Sequence, residues 1–355
     1  MPAPSMIDWD LAVAAASRMA GPGPSIGRAE AEAVVAELKA GADRSTALVR
    51  DFTGLAAAER TAPVLVVDRT GWIQANADGF AEVVAPLVDK VRSKHSAPGP
   101  ISQAVGSKVT GLEVGGLLGF MSSKVLGQFD PFFSGAPGQP AAGRLLLVAP
   151  NIVHAEQELD TDPTDFRLWV CLHEETHRVQ FTAVPWMRDH VHSEVERLVG
   201  SVDLDPQRVA AMLGDAVKRF GGIVRGDDEA GLVDLFASPE QREVMDRLTG
   251  VMSLLEGHAD VVMDGVGPSV IPSVADIRTK FNRRRKGASH LDRLLRRLLG
   301  LDAKMAQYRD GAAFVRAAIE AVGMEGFNAV WAEPANLPSK AEILDPVAWV
   351  HRVHG

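Results

Sequence analysis

A single cysteine, Cys171, and a single tyrosine, Tyr308, stand in a chain of 355 residues. One cysteine closes no intrachain disulfide and cannot build a cysteine-rich zinc or iron–sulfur site. Apolar runs are short: none approaches the roughly 18 uninterrupted residues that a membrane-spanning helix requires. Excess positive charge is also missing, since 37 Lys and Arg face 46 Asp and Glu for a net charge of −9. A nucleic-acid partner is therefore not expected, because phosphate backbones select basic surfaces. The opening MPAPSMIDWD has no basic stretch leading into an apolar one, so no secretory leader is expected and a cytoplasmic location is. What remains is 46% hydrophobic and 23% charged, the balance of an ordinary globular protein. It is long enough to bury a large core without staples.

Hydrophobic spacing predicts a mostly α chain with a little β structure. Ile7 to Ala20 carries helical spacing and stops at the breaker cluster Gly21 to Ser25; Ala29 to Ala40 and Ala77 to Val91 read as further helices. Pro63 to Asp68 and Arg144 to Val148 read as short strands. The proline- and glycine-rich Ala97 to Pro100 is the best linker, giving an N-terminal helical region over 1–96 and a second domain over 101–355. Ile101 to Leu126 is apolar but glycine-rich and interrupted by charge, as expected of a buried soluble helix. Ser134 to Gly143 has the composition of a surface loop, and from Pro163 onward the pattern is almost wholly helical, with long segments at Pro239 to Asp264 and Asp302 to Val322.

Chemistry concentrates in WVCLHEETHRVQF, residues 169–181, where His173, Glu174 and His177 form H-E-x-x-H. On a helix, positions i and i+4 share a face about 6 Å apart along the axis. Two imidazoles so placed can converge on one zinc ion at about 2.0–2.1 Å. Glu174 sits about 100° around from His173, beside the metal rather than on it. From there a carboxylate can take a proton from metal-bound water, whose pKa zinc lowers to roughly 7. A hydrolytic zinc site needs a third protein ligand. The metzincin extension is excluded, since its glycine and histidine positions hold Gln180 and Ala183. Asp189, His190, His192, Glu194 and Glu196 lie nearby, but MSLLEGHADVVMD (Met252 to Asp264) offers a stronger candidate. There Glu256 and Asp260 stand at i, i+4 within an apolar helix. A carboxylate in such surroundings calls for a partner, because desolvating the charge costs several kcal/mol. Metal would satisfy Glu256, and Asp260 could accept the remaining N–H of a ligating histidine. His258 lies about 200° around from Glu256 and reads as packing.

HEETH (His173 to His177) and EGHAD (Glu256 to Asp260) resemble the pattern of gluzincin-type zinc metallopeptidases. The closer resemblance is to a bacterial family of zincin-like metallopeptidases, some of whose members are associated with biosynthesis of a deazaflavin coenzyme. It is carried by DWD (Asp8 to Asp10), VLGQFDPF (Val125 to Phe132), HEETHRVQF, VPWMRDH (Val184 to His190), MSLLEGHADVVMD, KMAQYRDGAAFV (Lys304 to Val315) and FNAVW (Phe327 to Trp331). The resemblance spans nearly the whole chain. It implies a zincin-like core with a small sheet, Zn²⁺ held by His173, His177 and Glu256, and Glu174 as base. A helical insertion, Val202 to Phe220 with its flanks, would separate the metal helices. It also places a recurring tyrosine at Tyr308, whose phenol could serve as donor to a developing oxyanion. By the same analogy Arg144 to Asn151 would be the edge strand that pairs with an extended substrate.

The expectation is a zinc-dependent hydrolase acting on a peptide or protein. Its rivals are an inactive zincin scaffold used for binding and a hydrolase of non-peptide amides in coenzyme metabolism. Arg278 to Arg297 holds nine lysines and arginines against one acid, Asp292, and reads as a solvated helix face. Cys171, two residues before His173 on another helical face, reads as a buried thiol.

Overall fold

The computed structural model describes residues 6–56, 62–94, 100–133, 135, 143–201, 238–286 and 301–355. The linker residues 97–99, most of the loop at 134–143 and the insertion at 202–220 lie outside them. The described residues are mostly helical, with one three-stranded sheet among them. Its contacts gather into two compact units, Met1–Arg188 with Ala259–Arg284, and Asp189–His258 with Arg285–Gly355.

In the first unit, α1 (Trp9–Ala20) starts where the Asp8 carboxylate accepts the Leu11 N–H at 3.0 Å, and α2 (Arg28–Thr53) ends at left-handed Gly54. Strand β1 (Val64–Val67) leads into α3 (Arg69–Lys94), α4 (Pro100–Ser122), β2 (Gly127–Asp130) and β3 (Arg144–Val148). The sheet order is β1-β3-β2, with β1 parallel and β2 antiparallel to β3. All five residues of β3 are buried, which is why RLLLV is a continuous apolar run rather than an alternating one.

That order corrects the edge-strand expectation. Residues 144–148 form the central strand, paired on both sides, and have no backbone groups left for a substrate. The edge beside the motif helix is β2, a glycine-containing segment too short and polar to announce itself by pattern. Helix α4 also departs from expectation. Gly111, Gly115 and Gly119 lie against the backbone of α1 at Asp8, Ala12 and Ala16, but Val109 and Leu112 on its other side are half exposed.

After β3 come α5 (Ala149–Leu159) and the motif helix α6 (Pro163–Ala183). Asp162 caps α6 by accepting the Asp165 N–H at 3.0 Å, with Pro163 in the first turn; Val184, forced extended by Pro185, ends it. Asp165 in turn accepts the Ser273 N–H at 2.8 Å, tying α6 to the start of a later helix.

The second unit holds most of α7 (Met187–Gly200), the first part of α8 (Pro239–Val270), α10 (Leu301–Phe327) and the short C-terminal helices α11 (Lys340–Leu344) and α12 (Pro346–His354). Helix α9 (Val274–Lys286) lies largely in the first unit. Ser238 and Gln241 cap α8 reciprocally, at 3.1 and 2.8 Å. Residues of α8 up to His258 belong to the second unit and those from Ala259 to the first. Fully buried His258 packs between Phe327 and Trp331, at ring separations of 5.7 and 5.3 Å, as its place in the sequence suggested. Among the described residues no helix is long and apolar enough to cross a membrane.

Candidate metal centre

Helix α6 carries three stripes, each set by the 3.6-residue period. Cys171, Glu175 and Arg178 form the one packed on α2. The Cys171 thiol faces the Leu38 carbonyl at 3.4 Å, and Gly41 of α2 leaves room for its sulfur. Arg178 reaches Glu175 at 2.8 Å, Thr46 at 2.9 Å and the Ala62 carbonyl at 2.9 Å. Glu175 is fully buried, and that burial raises its carboxyl above the usual range despite Arg178. Burial likewise pushes the Cys171 thiol far up. Both groups hold the helix in place and face away from His173 and His177.

A second stripe, about 180° away, carries His173, His177 and Gln180. The two imidazole rings lie 4.9 Å apart at 86°. His173 Nδ1 faces the Met263 sulfur at 3.3 Å, and His177 Nδ1 faces Gln180 Oε1 at 3.0 Å. Met263 belongs to α8. Glu256 stands seven residues before it, two turns or about 10.5 Å up the same face. His173, His177 and Glu256 each offer one ligand atom, and these atoms all lie within 4.8 Å of one another. A tetrahedral ion with ligands at about 2.0–2.2 Å holds its donor atoms about 3.3–3.6 Å apart, so a closing of about 1 Å brings these three onto one ion. Two imidazoles and a carboxylate are also a donor set that zinc accepts, so the residues present fit the metal.

The third stripe faces β2. Gly127 and Phe129 share one face of the strand, while Glu174 and Phe181, seven residues apart, share one stripe of the helix. The phenyl rings stack at 5.3 Å. A Cβ on Gly127 would fall 2.5 Å from Glu174 Cγ, so the glycine is what lets that carboxylate lie under the strand. Glu174 is only 7% exposed. On the opposite face of β2, Gln128 accepts from Trp72 Nε1 at 2.8 Å and donates to Asn76 at 3.0 Å, fixing the strand from behind.

The family profile for zincin-like metallopeptidases matches residues 7–350. The chain belongs to that family. A solved structure from Chloroflexus aurantiacus, described as a "putative hydrolase with a novel fold", is 32% identical, covers 98% of each chain and superposes with a TM-score of 0.70. No curated protein matches. Membership in the zincin-like family and this neighbour support a hydrolase, and the family implies a metal, usually zinc.

Among the described residues no further histidine, cysteine or carboxylate joins the three ligand atoms. Asp260, one turn after Glu256, has its carboxylate 3.8 Å from Arg278, which bonds Asp264 at 2.8 Å and the Asp260 carbonyl at 3.2 Å. Buried Glu194 pairs with Arg197 at 2.8 Å and Arg247 at 2.9 Å, and His192 stands 3.6 Å from Glu196. Burial lowers the His190 pKa. The side chain of Tyr308, on α10, lies outside the described residues, as do the side chains of the basic stretch from residue 285 to Arg297. Within the described part of that stretch, Arg284 pairs with Glu158 and Lys280 with Asp276, so these cations are neutralised locally. Two contacts escaped sequence reasoning. Gln180 between Val179 and Phe181 was legible as an amide in an apolar run, but Met263 gave no polar signal at all.

Proposed function

We propose that this zincin-like protein is a zinc-dependent hydrolase of peptide bonds, with His173, His177 and Glu256 as metal ligands and Glu174 as general base. The observation that carries the reading is the convergence of those three ligand atoms within 4.8 Å. Zinc bound there would act as a Lewis acid, polarising the scissile carbonyl and making a water acidic near neutral pH. Glu174, nearly buried on the stripe beside the ligands, takes a proton from the attacking water as its oxygen bonds to the carbonyl carbon. It then delivers that proton to the amine as the C–N bond breaks. Tyr308 acts as a donor to the developing oxyanion, whereas Asp260, expected to accept the remaining N–H of a ligating histidine, lies against Arg278 while those ring nitrogens face Met263 and Gln180.

An extended substrate fits the edge of β2 that no strand covers among the described residues. Val148 donates to the Leu126 carbonyl at 2.8 Å, and with the register Gly127↔Leu147 this turns residues 126, 128 and 130 toward β3. By antiparallel alternation, the N–H and C=O groups of Gly127 and Phe129 face outward. Gly127 lies against Glu174, where backbone pairing would lay a peptide across the site.

The test is zinc content and cleavage of a peptide library by wild type, Glu174→Gln and Glu256→Ala. Glu174→Gln is expected to keep the metal and lose turnover. Glu256→Ala is expected to lose zinc, whereas Asp189→Ala and Glu194→Ala keep it. Unchanged turnover in Glu174→Gln refutes the mechanism, and equal zinc loss in all three carboxylate variants reassigns the third ligand. Bound zinc with cleavage of non-peptide amides alone would move the substrate toward the deazaflavin-linked chemistry of the resemblance. Bound zinc with no turnover on either class would leave a binding scaffold.

A further inference from the structure

We infer that Gln180 is a positioning residue for the metal centre, holding His177 in the tautomer that presents its Nε2 lone pair. The inference rests on the proposed role of His177 as a ligand and assigns a role to a residue outside the H-E-x-x-H motif. Gln180 is fully buried, and an amide is kept in such a place only when its polar atoms are matched. Its Oε1 lies 3.0 Å from His177 Nδ1, one helical turn away on the same face. A carbonyl oxygen has no proton to give, so the nitrogen facing it carries the hydrogen. Neutral imidazole has one N–H, which leaves the lone pair on Nε2.

His173 is arranged with the same polarity, its Nδ1 facing the Met263 thioether at 3.3 Å, again a group with no proton to give. Both rings are thereby set in one tautomer, by acceptors drawn from two helices. The two acceptors differ in strength. A thioether is a weak acceptor and an amide oxygen a strong one, so Gln180 is the stronger of these two constraints on ring orientation. An amide also orients the ring without adding a negative charge. The donor set of two neutral imidazoles and one carboxylate then leaves a bound divalent ion with net charge +1 to polarise a substrate.

The experiment is a Zn²⁺ competition titration against a chelator of known affinity, on metal-stripped wild type, Gln180→Leu and Gln180→Glu, with thermal melts and Co²⁺ absorption spectra alongside. Gln180→Leu is expected to bind zinc roughly 10- to 100-fold more weakly, the usual cost of removing such an orienting partner, with altered Co²⁺ bands. Gln180→Glu, which keeps an acceptor at the same place, is expected to restore wild-type affinity or exceed it. Should Gln180→Leu not fold, Gln180→Met fills nearly the same volume with only a thioether and is expected to bind more weakly than wild type. A folded Leu or Met variant with wild-type affinity overturns the inference. Equal losses in the Leu and Glu variants, tracking their melting temperatures, also overturn it by reducing Gln180 to packing. A wild type that takes up no zinc overturns both this inference and the ligand assignment beneath it, whereas zinc uptake unaffected by Gln180→Leu overturns this inference alone.

Discussion

Gly127→Ala adds one methyl group at the closest approach of strand β2 to the proposed base. The new Cβ would stand 2.5 Å from Glu174 Cγ, 2.6 Å from Cδ and 2.9 Å from Oε1. Comfortable carbon–carbon contact lies at about 3.5–4.0 Å, so strand and carboxylate must part by roughly 1 Å. Neither moves freely. Strand β2 is held in register along its length by β3, and Glu174 is buried on a helix pinned by Arg178, Cys171 and Asp165. Overpacking of this kind costs about 1–3 kcal/mol of stability. A displacement of about 1 Å at a reacting group costs on the order of 100-fold in rate. The three atoms nearest the added methyl all belong to Glu174, so zinc stoichiometry is expected to stay at the wild-type value while kcat falls about 100-fold. The double variant Gly127→Ala with Glu174→Gln isolates the cause. If the methyl acts through Glu174, it adds little to the loss already produced by Glu174→Gln, since coupled neighbours are not additive. Full kcat in Gly127→Ala, or a full additive loss in the double variant, refutes the reasoning.

Three further outcomes follow from other parts of the fold. Gly311→Ala would put a Cβ 1.9 Å from the Ser253 carbonyl oxygen, and Gly257→Ala one 2.1 Å from the Gly311 carbonyl carbon. Because these contacts are backbone against backbone, each variant is expected to lose about 3 kcal/mol or more in urea unfolding, and ordinary stability in either would show that α8 and α10 do not cross there. Burial raises the Glu175 carboxyl above its ordinary 4.5 in the folded chain, so between that value and the folded one the native state holds more protons than the unfolded state. Stability drawn from this group is therefore lost as pH rises through that window, and Glu175→Gln is expected to gain relative to wild type as pH increases above about 4.5; a constant difference across a pH series of denaturation curves would contradict this. Cys171, buried and with its thiol pKa raised by desolvation, is expected to resist a thiol reagent until denaturant is added, and stoichiometric labelling of the native protein would refute that burial.

The amino-acid sequence by itself determined the ligand chemistry that helical periodicity can express. His173 and His177 at i, i+4, Glu174 one step around, and Glu256 in an apolar helix are local facts, and α6 and α8 preserve them because a helix fixes relative directions over a few residues. The central strand RLLLV was legible for the same reason: a continuous apolar run bounded by breakers has few other uses. Pairing and approach were not legible, since they depend on residues far apart in the chain. Only the tertiary structure made β3 central and β2 the edge, because strand order follows from which segments cross over. It alone turned Gly127 from a weak strand residue into the space that Glu174 occupies. It also placed Met263 beside His173 and Gln180 beside His177. A sequence states which groups can bind a metal; the packing of α6 against β2 and α8 decides how those groups are oriented.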